Sequence, residues 1–299
     1  MPEPSKANRK AEATARWKID CILDNLKLGG FRTTLVASGS TRHVLVTGDC
    51  IDVMKALPVA CIDLIVTDPP YNINLDYGGF FKDNMKKDAY LKWCSLWLEQ
   101  CARVLGEKGT MYLISYPEIN AYLVPYLDNT LKFRRWLTWH YPTNIGHSKS
   151  NFTRSQRSIL FYTKSDSYIF NRENLIQHYK NPKVGKIKER IKRGSKGRAS
   201  YDLLRVLDLV ELQKGMIDVL DFNLLKNTSR DRQRGHPCQL PLGLLGLLVK
   251  ASTNRNHIVL DPFAGTFGTS LAAIRSERNS VGIEINPDFV RLGSKRLRR

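Results

Sequence analysis

Short apolar runs and amphipathic stripes alternate along most of this chain. Residues 61–67 form a nearly continuous apolar run, which is typical of a parallel strand buried on both faces. Pro69 and Pro70 follow, and because neither can donate a ladder hydrogen bond, the strand must end before them. Ligands bind at the carboxyl edge of an open α/β sheet, so we expect Asp68 and Tyr71 to stand at a binding edge.

The same patterns predict a regular succession of strands and helices. A helix over residues 86–105 is expected to face the core with Tyr90, Cys94, Trp97, Cys101 and Val104. A helix over residues 11–28 is expected to carry Trp17, Cys21 and Leu28 on one side. Further strands are predicted at residues 43–46, 110–114, 136–141, 158–162, 257–260 and 281–284. Further helices are predicted at 118–127, 201–214 and 242–250, with one short helix that ends near residue 58, one that ends near residue 275 and one that starts at 286. This alternation favours an α/β fold whose parallel sheet has helices on both faces.

Changes in composition divide the 299 residues into four expected regions. Residues 1–42 form a basic arm, 43–142 one half of the α/β core, 143–232 an insert outside the sheet, and 233–299 the second half of the core. Within the first half, loop 72–85 carries two glycines beside Phe80 and Phe81. This composition fits either a flexible lid or an aromatic pair that covers the core.

The net charge of the chain indicates what kind of partner it binds. The chain has 47 Lys and Arg against 28 Asp and Glu, a formal net charge of +19, which points to a polyanion such as nucleic acid. The most basic stretch is residues 180–198, for which phosphate contact through counterion release is the expected role and a solvated, mobile segment the alternative. The residues expected to bind DNA there are Lys183, Lys186, Lys188, Arg190, Lys192, Arg193, Lys196 and Arg198.

The spacing of the cysteines and the length of the apolar stretches indicate which class of protein this is. The six cysteines are scattered, without a C-x-x-C pair or zinc-finger spacing, so buried reduced thiols in a cytosolic protein are expected, and no metal site. No apolar stretch approaches the roughly 20 residues of a membrane span. The first residues are polar and contain no apolar h-region, so no secretory signal is expected.

The tetrapeptide at residues 68–71 suggests methylation of an exocyclic base amine. Such a nitrogen is a poor nucleophile because its lone pair is delocalised into the ring. A carboxylate at Asp68 that accepts an N–H, together with the carbonyl of Pro69, would favour the pyramidal form that can attack. Tyr71 offers a flat face to an extruded base, and such stacking is worth about 1–3 kcal/mol. An ordinary surface turn is the alternative, since Asp and Pro are common in turns.

A second constellation has the layout of a nucleoside-cofactor site. A strand leads into Asp261, a Gly-containing turn opens a helix, and the next strand ends at Glu284, which follows Gly265 by 19 residues. The small residue lets the backbone approach the ligand, and the acid is expected to bond ribose hydroxyls. The turn lacks the third glycine that a pyrophosphate needs, which favours a phosphate-free cofactor such as S-adenosylmethionine. Asp49, at the end of another strand, is a candidate neighbour of the adenine ring.

Four segments follow one another in a fixed order: Thr67-Asp68-Pro69-Pro70-Tyr71-Asn72, His236-Pro237-Cys238-Gln239, Asp261-Pro262-Phe263-Ala264-Gly265 and Gly282-Ile283-Glu284-Ile285-Asn286-Pro287. With this order the chain resembles the DNA amino-methyltransferases of the beta class, the circularly permuted group of bacterial restriction–modification systems. The resemblance covers about residues 43–142 and 233–299. It implies a Rossmann-like methyltransferase fold with a mostly parallel seven-stranded sheet, one reversed strand and an inserted target-recognition region. It also implies flipping of the target base, which chemistry on a stacked base requires.

The resemblance implies two groups of site residues. The catalytic group is Asp68, Pro69, Pro70 and Tyr71, in which Asp68 and the Pro69 carbonyl would hold the amine and Tyr71 would stack on the base. The second group would surround S-adenosylmethionine, with Phe263-Ala264-Gly265 at its methionine part, Glu284 at its ribose, Asp49-Cys50 at its adenine, and His236 and Gln239 at its edge. The full cofactor-binding set is Asp49, Cys50, Asp68, His236, Gln239, Asp261, Phe263, Ala264, Gly265, Thr266 and Glu284.

Two positions depart from the pattern of that family. Gly265-Thr266-Phe267-Gly268-Thr269 stands where the family usually has Gly-Ser-Gly-Thr, so either Phe267 replaces the second glycine or one residue is inserted. Leu240 stands where many members carry Lys, so a charged contact to the donor's carboxylate is expected to be absent or supplied elsewhere.

The sequence therefore predicts a site-specific, metal-independent methyl transfer from S-adenosylmethionine to adenine N6 in double-stranded DNA. Cytosine N4 methylation is the nearest alternative, although that group more often has Ser at the position of Asp68. The alternative of another class is a basic nucleic-acid-binding protein on a non-catalytic methyltransferase fold. The resemblance also implies a bacterial cytoplasmic location near the nucleoid, with a restriction endonuclease and a second copy of the chain as candidate partners.

Overall fold

A nine-stranded sheet runs through this computed structural model, which describes residues 6–140, 149–177, 182–199, 203–204 and 239–299. The described strands are β1 (Arg32–Ser38), β2 (Thr41–Thr47), β3 (Ile62–Thr67), β4 (Leu105–Ser115), β5 (Lys132–His140), β6 (Gln156–Thr163), β7 (Ile176–Gln177), β8 (Arg198–Ala199), β9 (Leu203–Leu204), β10 (Ile258–Asp261) and β11 (Asn279–Glu284). The described α-helices are α1 (Lys6–Leu28), α2 (Cys50–Ala56), α3 (Lys87–Val104), α4 (Pro117–Asp128), α5 (Gly185–Lys192), α6 (Leu242–Ser252), α7 (Gly268–Arg275) and α8 (Pro287–Leu297).

The strand order is β1-β2-β11-β10-β3-β4-β6-β5-β9, with β7 and β8 as a separate pair. From β2 to β4 every pairing is parallel, whereas β6 is antiparallel to both β4 and β5. The strand β6 is therefore the reversed strand that the resemblance implies. The predicted mostly parallel sheet is confirmed, and two strands that were not predicted, β1 and the short β9, extend it at its edges.

Helices cover both faces of the sheet, and strand side chains alternate between two cores. From β4, Met111 and Leu113 pack into the core that includes α1 to α4, whereas Tyr112 and Ile114 pack into the core that includes α6 and α7. The predicted apolar stripe of α3 is wholly buried, which confirms that helix and its orientation. Each helix within the described ranges is too short or too polar to cross a bilayer.

The N-terminal helix packs on the core through a different face from the predicted one. Trp17 and Leu28 are 68% and 87% exposed, so the expected stripe of Trp17, Cys21 and Leu28 is wrong. A longer aliphatic series, repeated at three- and four-residue intervals, decides which face is buried. Its members are Ala15, Ile19, Ile22 and Leu26.

The predicted insert, residues 143–232, overlaps the sheet. The strand β6 lies within that range and pairs with both β4 and β5, so the expectation that the insert lies outside the sheet is wrong for residues 156–163. Leu203 and Leu204, predicted to be helical, instead form β9 on the edge of β5. The unpaired edge of β5 favours such a partner because it presents a row of backbone donors and acceptors. The rest of the helix predicted at 201–214 lies outside the described residues.

Candidate active site

Asp68 and Tyr71 line a cavity of about 300 Å³ at the carboxyl end of β3. The strand ends at Thr67, as the two following prolines require. Tyr71 is only 3% exposed, and its hydroxyl donates a hydrogen bond to the Asp68 carboxylate. Burial raises the pKa of Asp68, while the Arg157 guanidinium and the Tyr71 hydroxyl act in the opposite direction.

Two side chains brace the loop that follows Tyr71. The buried carboxylate of Asp83 accepts hydrogen bonds from the backbone N–H groups of Asn72, Ile73 and Leu75 at 2.7, 3.1 and 2.9 Å. The side-chain amide of Asn72 bridges the base of the loop, since it donates to the carbonyl of Met85 at 2.8 Å and accepts from its N–H at 2.6 Å. Ile73 and Leu75 are thereby fixed in the cavity wall.

Aromatic contacts connect this loop to the other side of the cavity. Phe80 is 46% exposed, whereas Phe81 lines the cavity with its ring centroid 4.8 Å from that of Trp93. Trp93 in turn lies 5.6 Å from Phe263, which belongs to the turn after β10. The hydroxyl of Tyr90, also on α3, donates to the carbonyl of Pro70 at 2.7 Å. The helix α3 therefore positions both the Asp68 turn and the loop beyond it.

The turn after β10 and the tip of β11 form the opposite wall. Asp261 accepts hydrogen bonds from the backbone N–H of Phe263 at 3.1 Å and the hydroxyl of Thr269 at 2.6 Å. The two carboxylate oxygens of Glu284 accept from the backbone N–H groups of Gly265 and Asn286, each at 2.8 Å. The buried carboxylate of Asp261 and the half-buried one of Glu284 thus organise the turn that the sequence assigns to the cofactor.

Phe267 stands at the N-cap of α7 in the left-handed conformation, with φ of 61°. Glycine favours that conformation most, so the backbone supports the alternative in which Phe267 replaces a glycine of the turn. The ring is fully buried and is not among the described residues that line the cavity. It lies directly against Gly282 of β11 and Gly293 of α8. The ring of Phe267 therefore fills a core between β11 and α8. Other residues of the same turn form the cavity wall.

The end of β2 supplies a third part of the wall. The Asp49 carboxylate caps α2 by accepting from the N–H of Ile51 at 2.8 Å. The N–H of Gly48 donates to the backbone carbonyl of Glu284 at 3.1 Å, which joins this turn to the tip of β11. Burial, followed by the nearby Asp49, raises the pKa of the Cys50 thiol well above its ordinary value. Cys50 therefore contributes a neutral side chain.

Negative charge dominates the cavity. Its described lining includes Asp49, Asp68, Asp261 and Glu284, and Arg157 as the one cationic side chain. Burial raises the pKa of Asp261 and of Glu284 to about 7, and for Asp261 the charges of Asp68 and Glu284 add to this rise. Carboxylates that lie close together in one cavity and are partly shielded from solvent favour a ligand that carries positive charge.

The structure brings most of the predicted site residues together. The described members of both predicted groups that line the cavity are Asp49, Cys50, Asp68, Pro69, Pro70, Tyr71, Gln239, Asp261, Phe263, Ala264, Gly265, Thr266 and Glu284. His236 lies outside the described residues. Leu240 also lines the cavity, so the wall there is apolar. The predicted DNA-binding residues from Lys183 to Lys196 are exposed on and around α5, away from the cavity lining, and Arg198 lies in β8.

Sequence reasoning missed several residues of the site. Tyr116 follows β4 directly, and its place at the end of a predicted strand was a usable signal. Asp83 and Trp93 gave no such signal, because a loop carboxylate and one more helix aromatic are common features. Arg157 lies at the start of the reversed strand, and only its antiparallel pairing brings it to the carboxyl edge of β3 and β4.

Comparisons with known proteins identify the family whose sequence pattern this chain matches. The sequence model of a family described as DNA methylase matches residues 62–295. The DNA adenine methyltransferase YhdJ of Escherichia coli K12 is 29% identical over 260 residues, which are 87% of this chain and 84% of that protein. The type II methyltransferase M.HpaI of Haemophilus parainfluenzae is 29% identical over 255 residues, covering 85% and 73% of the two chains.

Two solved structures share the fold at low sequence identity. The complex of M1.HpyAVI with S-adenosylmethionine matches with a TM-score of 0.56 and 22% identity over 85% of this chain and 98% of that one. The cytosine-N4-specific PvuII DNA methyltransferase matches with a TM-score of 0.61 and 16% identity, covering 85% and 86%. These likenesses confirm the methyltransferase fold that the sequence predicts.

Proposed function

This chain belongs to the DNA methylase family, and from that premise we propose that it transfers a methyl group from S-adenosylmethionine to adenine N6 in double-stranded DNA. One observation carries the proposal: Asp68 at the end of β3 and Glu284 at the end of β11 line the same cavity. The strand β10 separates β3 from β11, so the two strand ends lie about 10 Å apart across the sheet. That separation suits a donor at one end and an acceptor at the other.

The residues at the β10 and β11 ends fit the donor. When bound, S-adenosylmethionine supplies a methyl group on a positively charged sulfur. The Glu284 carboxylate would accept hydrogen bonds from ribose hydroxyls while its N–H partners hold it in place. The carboxylates of Asp261 and Glu284 would stabilise the positive charge of the donor. Phe263 and Trp93 would enclose its apolar parts and exclude water.

The residues at the β3 end fit the amine. Asp68 would accept one N–H of adenine N6 and the Pro69 carbonyl the other, so that the nitrogen lone pair leaves the ring system and points at the methyl carbon. A new N–C bond would form at the donor's methyl carbon as the S–C bond breaks and a neutral thioether leaves. The methylated nitrogen would then give up one proton, which the Asp68 carboxylate would accept. The hydrogen bond from Tyr90 to the carbonyl of Pro70 at 2.7 Å holds the backbone of this turn in place.

The base would reach this site only outside the helix stack. A paired base cannot present its exocyclic amine to a buried carboxylate, so the enzyme must extrude it. The ring of Tyr71 lies 4.7 Å from that of Tyr116, and both line the cavity. Stacking against Tyr71 would offset part of the unstacking cost, at about 1–3 kcal/mol per base.

Adenine is preferred over cytosine for two reasons. Asp68 occupies a position where, as the family resemblance implies, the cytosine-N4 group more often has Ser. The relative from E. coli is named a DNA adenine methyltransferase. The likeness to the cytosine-N4-specific PvuII enzyme keeps N4 methylation as the second candidate.

The remaining expectations belong to the same proposal. Residues 43–142 and 233–299 would carry catalysis and donor binding, the region between them would supply target recognition, and residues 1–42 would add a basic arm. The exposed basic side chains from Lys183 to Lys196, together with Arg198, would contact phosphates. A bacterial cytoplasmic location near the nucleoid, a companion restriction endonuclease and a homodimer are the accompanying proposals.

Nucleoside mass spectrometry decides which base is modified. Plasmid from a host without methyltransferases is treated with the protein and S-adenosylmethionine, digested to nucleosides and compared with untreated plasmid. We expect N6-methyldeoxyadenosine to appear, since Asp68 matches the adenine pattern. N4-methyldeoxycytidine alone would refute the adenine assignment. Calorimetry that detects no binding of S-adenosylmethionine would favour a non-catalytic nucleic-acid-binding protein.

A further inference from the structure

Arg157 is a buried cation that lines the cavity, and the other charged residues of its described lining are acids. It is 5% exposed and lies at the start of β6, paired with Trp139 of β5. Because β6 is antiparallel to β4, its beginning lies at the sheet edge where β3 and β4 end. The reversed strand therefore delivers a guanidinium to the same edge as Asp68.

Three aromatic rings surround this guanidinium. Its central carbon lies 5.2 Å from the ring centroid of Tyr71, 5.6 Å from that of Trp139 and 5.7 Å from that of Tyr116. Contacts of this length are within the range of cation–π attraction, which is strongest for a desolvated cation. The same rings restrict the positions that the guanidinium can adopt. Tyr71, which donates a hydrogen bond to Asp68, is thus packed directly against Arg157.

We infer that Arg157 is a positioning residue for methyl transfer, holding Asp68 in its ionised form and Tyr71 in its orientation so that the carboxylate can accept the amine proton. This inference rests on the proposed function, because it assigns a role within the same site. Arg157 itself would contact neither the amine nor the donor's methyl group. It acts through Asp68 and Tyr71.

The charges facing Asp68 show why a cation is needed there. From β10, Asp261 interacts unfavourably with the ionised carboxylate, and Glu284 of β11 adds negative charge to the same cavity. From its own turn, the Tyr71 hydroxyl favours ionisation through a hydrogen bond, and from β6 Arg157 favours it through charge. Burial opposes ionisation most strongly. Of the two described groups that favour ionisation of Asp68, removal of Arg157 leaves the neutral hydroxyl of Tyr71, against the effect of burial and of the nearby acids.

The pH dependence of methyl transfer tests this role in the full-length protein. The profile is that of kcat/KM for DNA at saturating S-adenosylmethionine, so that the pH dependence of donor binding does not contribute. For Arg157→Met we expect its acid limb to move upward by about one pH unit or more, because Asp68 then ionises at higher pH. Arg157→Lys keeps the charge and should restore most of the wild-type profile. Arg154→Met is the matched control, since Arg154 lies over Tyr116 and pairs with Glu118 but does not line the cavity.

A direct titration separates this inference from the proposed function. Carboxyl carbon NMR, with the Asp68 signal assigned by its loss in Asp68→Asn, reports the ionisation of Asp68 whether or not methyl transfer occurs. We expect an ionised Asp68 in the wild type at pH 7.5 and an upward shift in Arg157→Met. A wild-type Asp68 still protonated at pH 7.5, or a profile lowered equally at every pH in both Arg157 variants, would overturn the inference. Absence of methyl transfer by the wild type would instead defeat the proposed function.

Discussion

Glu284 shows how one residue can connect the ligand to the protonation state of the site. Both of its carboxylate oxygens accept backbone hydrogen bonds, yet burial still raises its pKa to about 7. Asp261, across the same turn, has its pKa raised to about 7 as well. Near neutral pH, each carboxyl is therefore partly protonated until a positively charged ligand favours the ionised form.

This coupling predicts that donor affinity rises with pH. Below pH 7 a proton must leave before the carboxylates can interact with a cationic donor, so binding of S-adenosylmethionine should release protons and should tighten between pH 6 and pH 8. Calorimetry in buffers of different ionisation enthalpy measures that release. An affinity that is constant over this range would contradict the assignment.

The variant Glu284→Gln isolates the contribution of one carboxyl. We expect its donor affinity to fall about 10- to 100-fold, because the amide NH2 must face one of the two backbone donors that the carboxylate satisfies. Part of the pH dependence should disappear with it. Glu107→Gln, an exposed position at the far end of β4, is the matched control and should bind the donor like the wild type.

At the scale of elements, the strand–turn–helix unit from β10 to α7 depends on packing by the ring of Phe267. An added Cβ would lie 2.6 Å from this ring at Gly282 and closer still at Gly293. Both distances are shorter than any real contact. The ring therefore occupies the space that a side chain at either glycine would need. The unusual left-handed backbone of Phe267 is held by this core.

Gly293→Ala should therefore destabilise the protein although alanine favours helices. We expect a loss of about 1–3 kcal/mol in the free energy of unfolding, since the new methyl group overpacks a filled core. Gly246→Ala in α6 is the matched control, because no atom lies within 4 Å of its added Cβ, and it should be neutral or stabilising. Chemical denaturation compares the two, and equal stability would contradict the packing account.

The sequence predicts elements well where a pattern repeats and less well where tertiary partners decide. The stripe of α3 repeats through about four turns of helix, and two prolines follow the end of strand β3, so both are predicted correctly. In α1, the face that contains Trp17 was wrongly predicted to be buried. The aliphatic series on another face of the helix has more members and is the one that packs on the core. Leu203 and Leu204 were also predicted wrongly, because their conformation is decided by pairing with the edge of β5. Arg157 becomes part of the site only through the pairing of β6.

At the scale of the whole molecule, the net positive charge of the chain and the acidic residues of the cavity serve different functions. The chain carries a formal net charge of +19, while the described lining of the cavity holds four acids and one base. A basic exterior attracts a phosphate backbone over distances of about a Debye length, roughly 8–10 Å at physiological salt. An acidic interior favours a cationic donor. The sequence predicts the first property from composition, whereas the second depends on strand ends that meet only in the fold.

The central claim is that Asp68 acts chiefly on the amine, while the other residues that line the cavity supply most of the binding of donor and base. Single-turnover methyl transfer by Asp68→Ala, with saturating S-adenosylmethionine and DNA, tests it most directly. We predict a rate at least about 100-fold below the wild type, as for loss of a positioned proton acceptor, with dissociation constants for donor and DNA changed no more than a few-fold. The exposed Asp52→Ala should behave like the wild type. Transfer by Asp68→Ala at a rate close to that of the wild type would contradict the account.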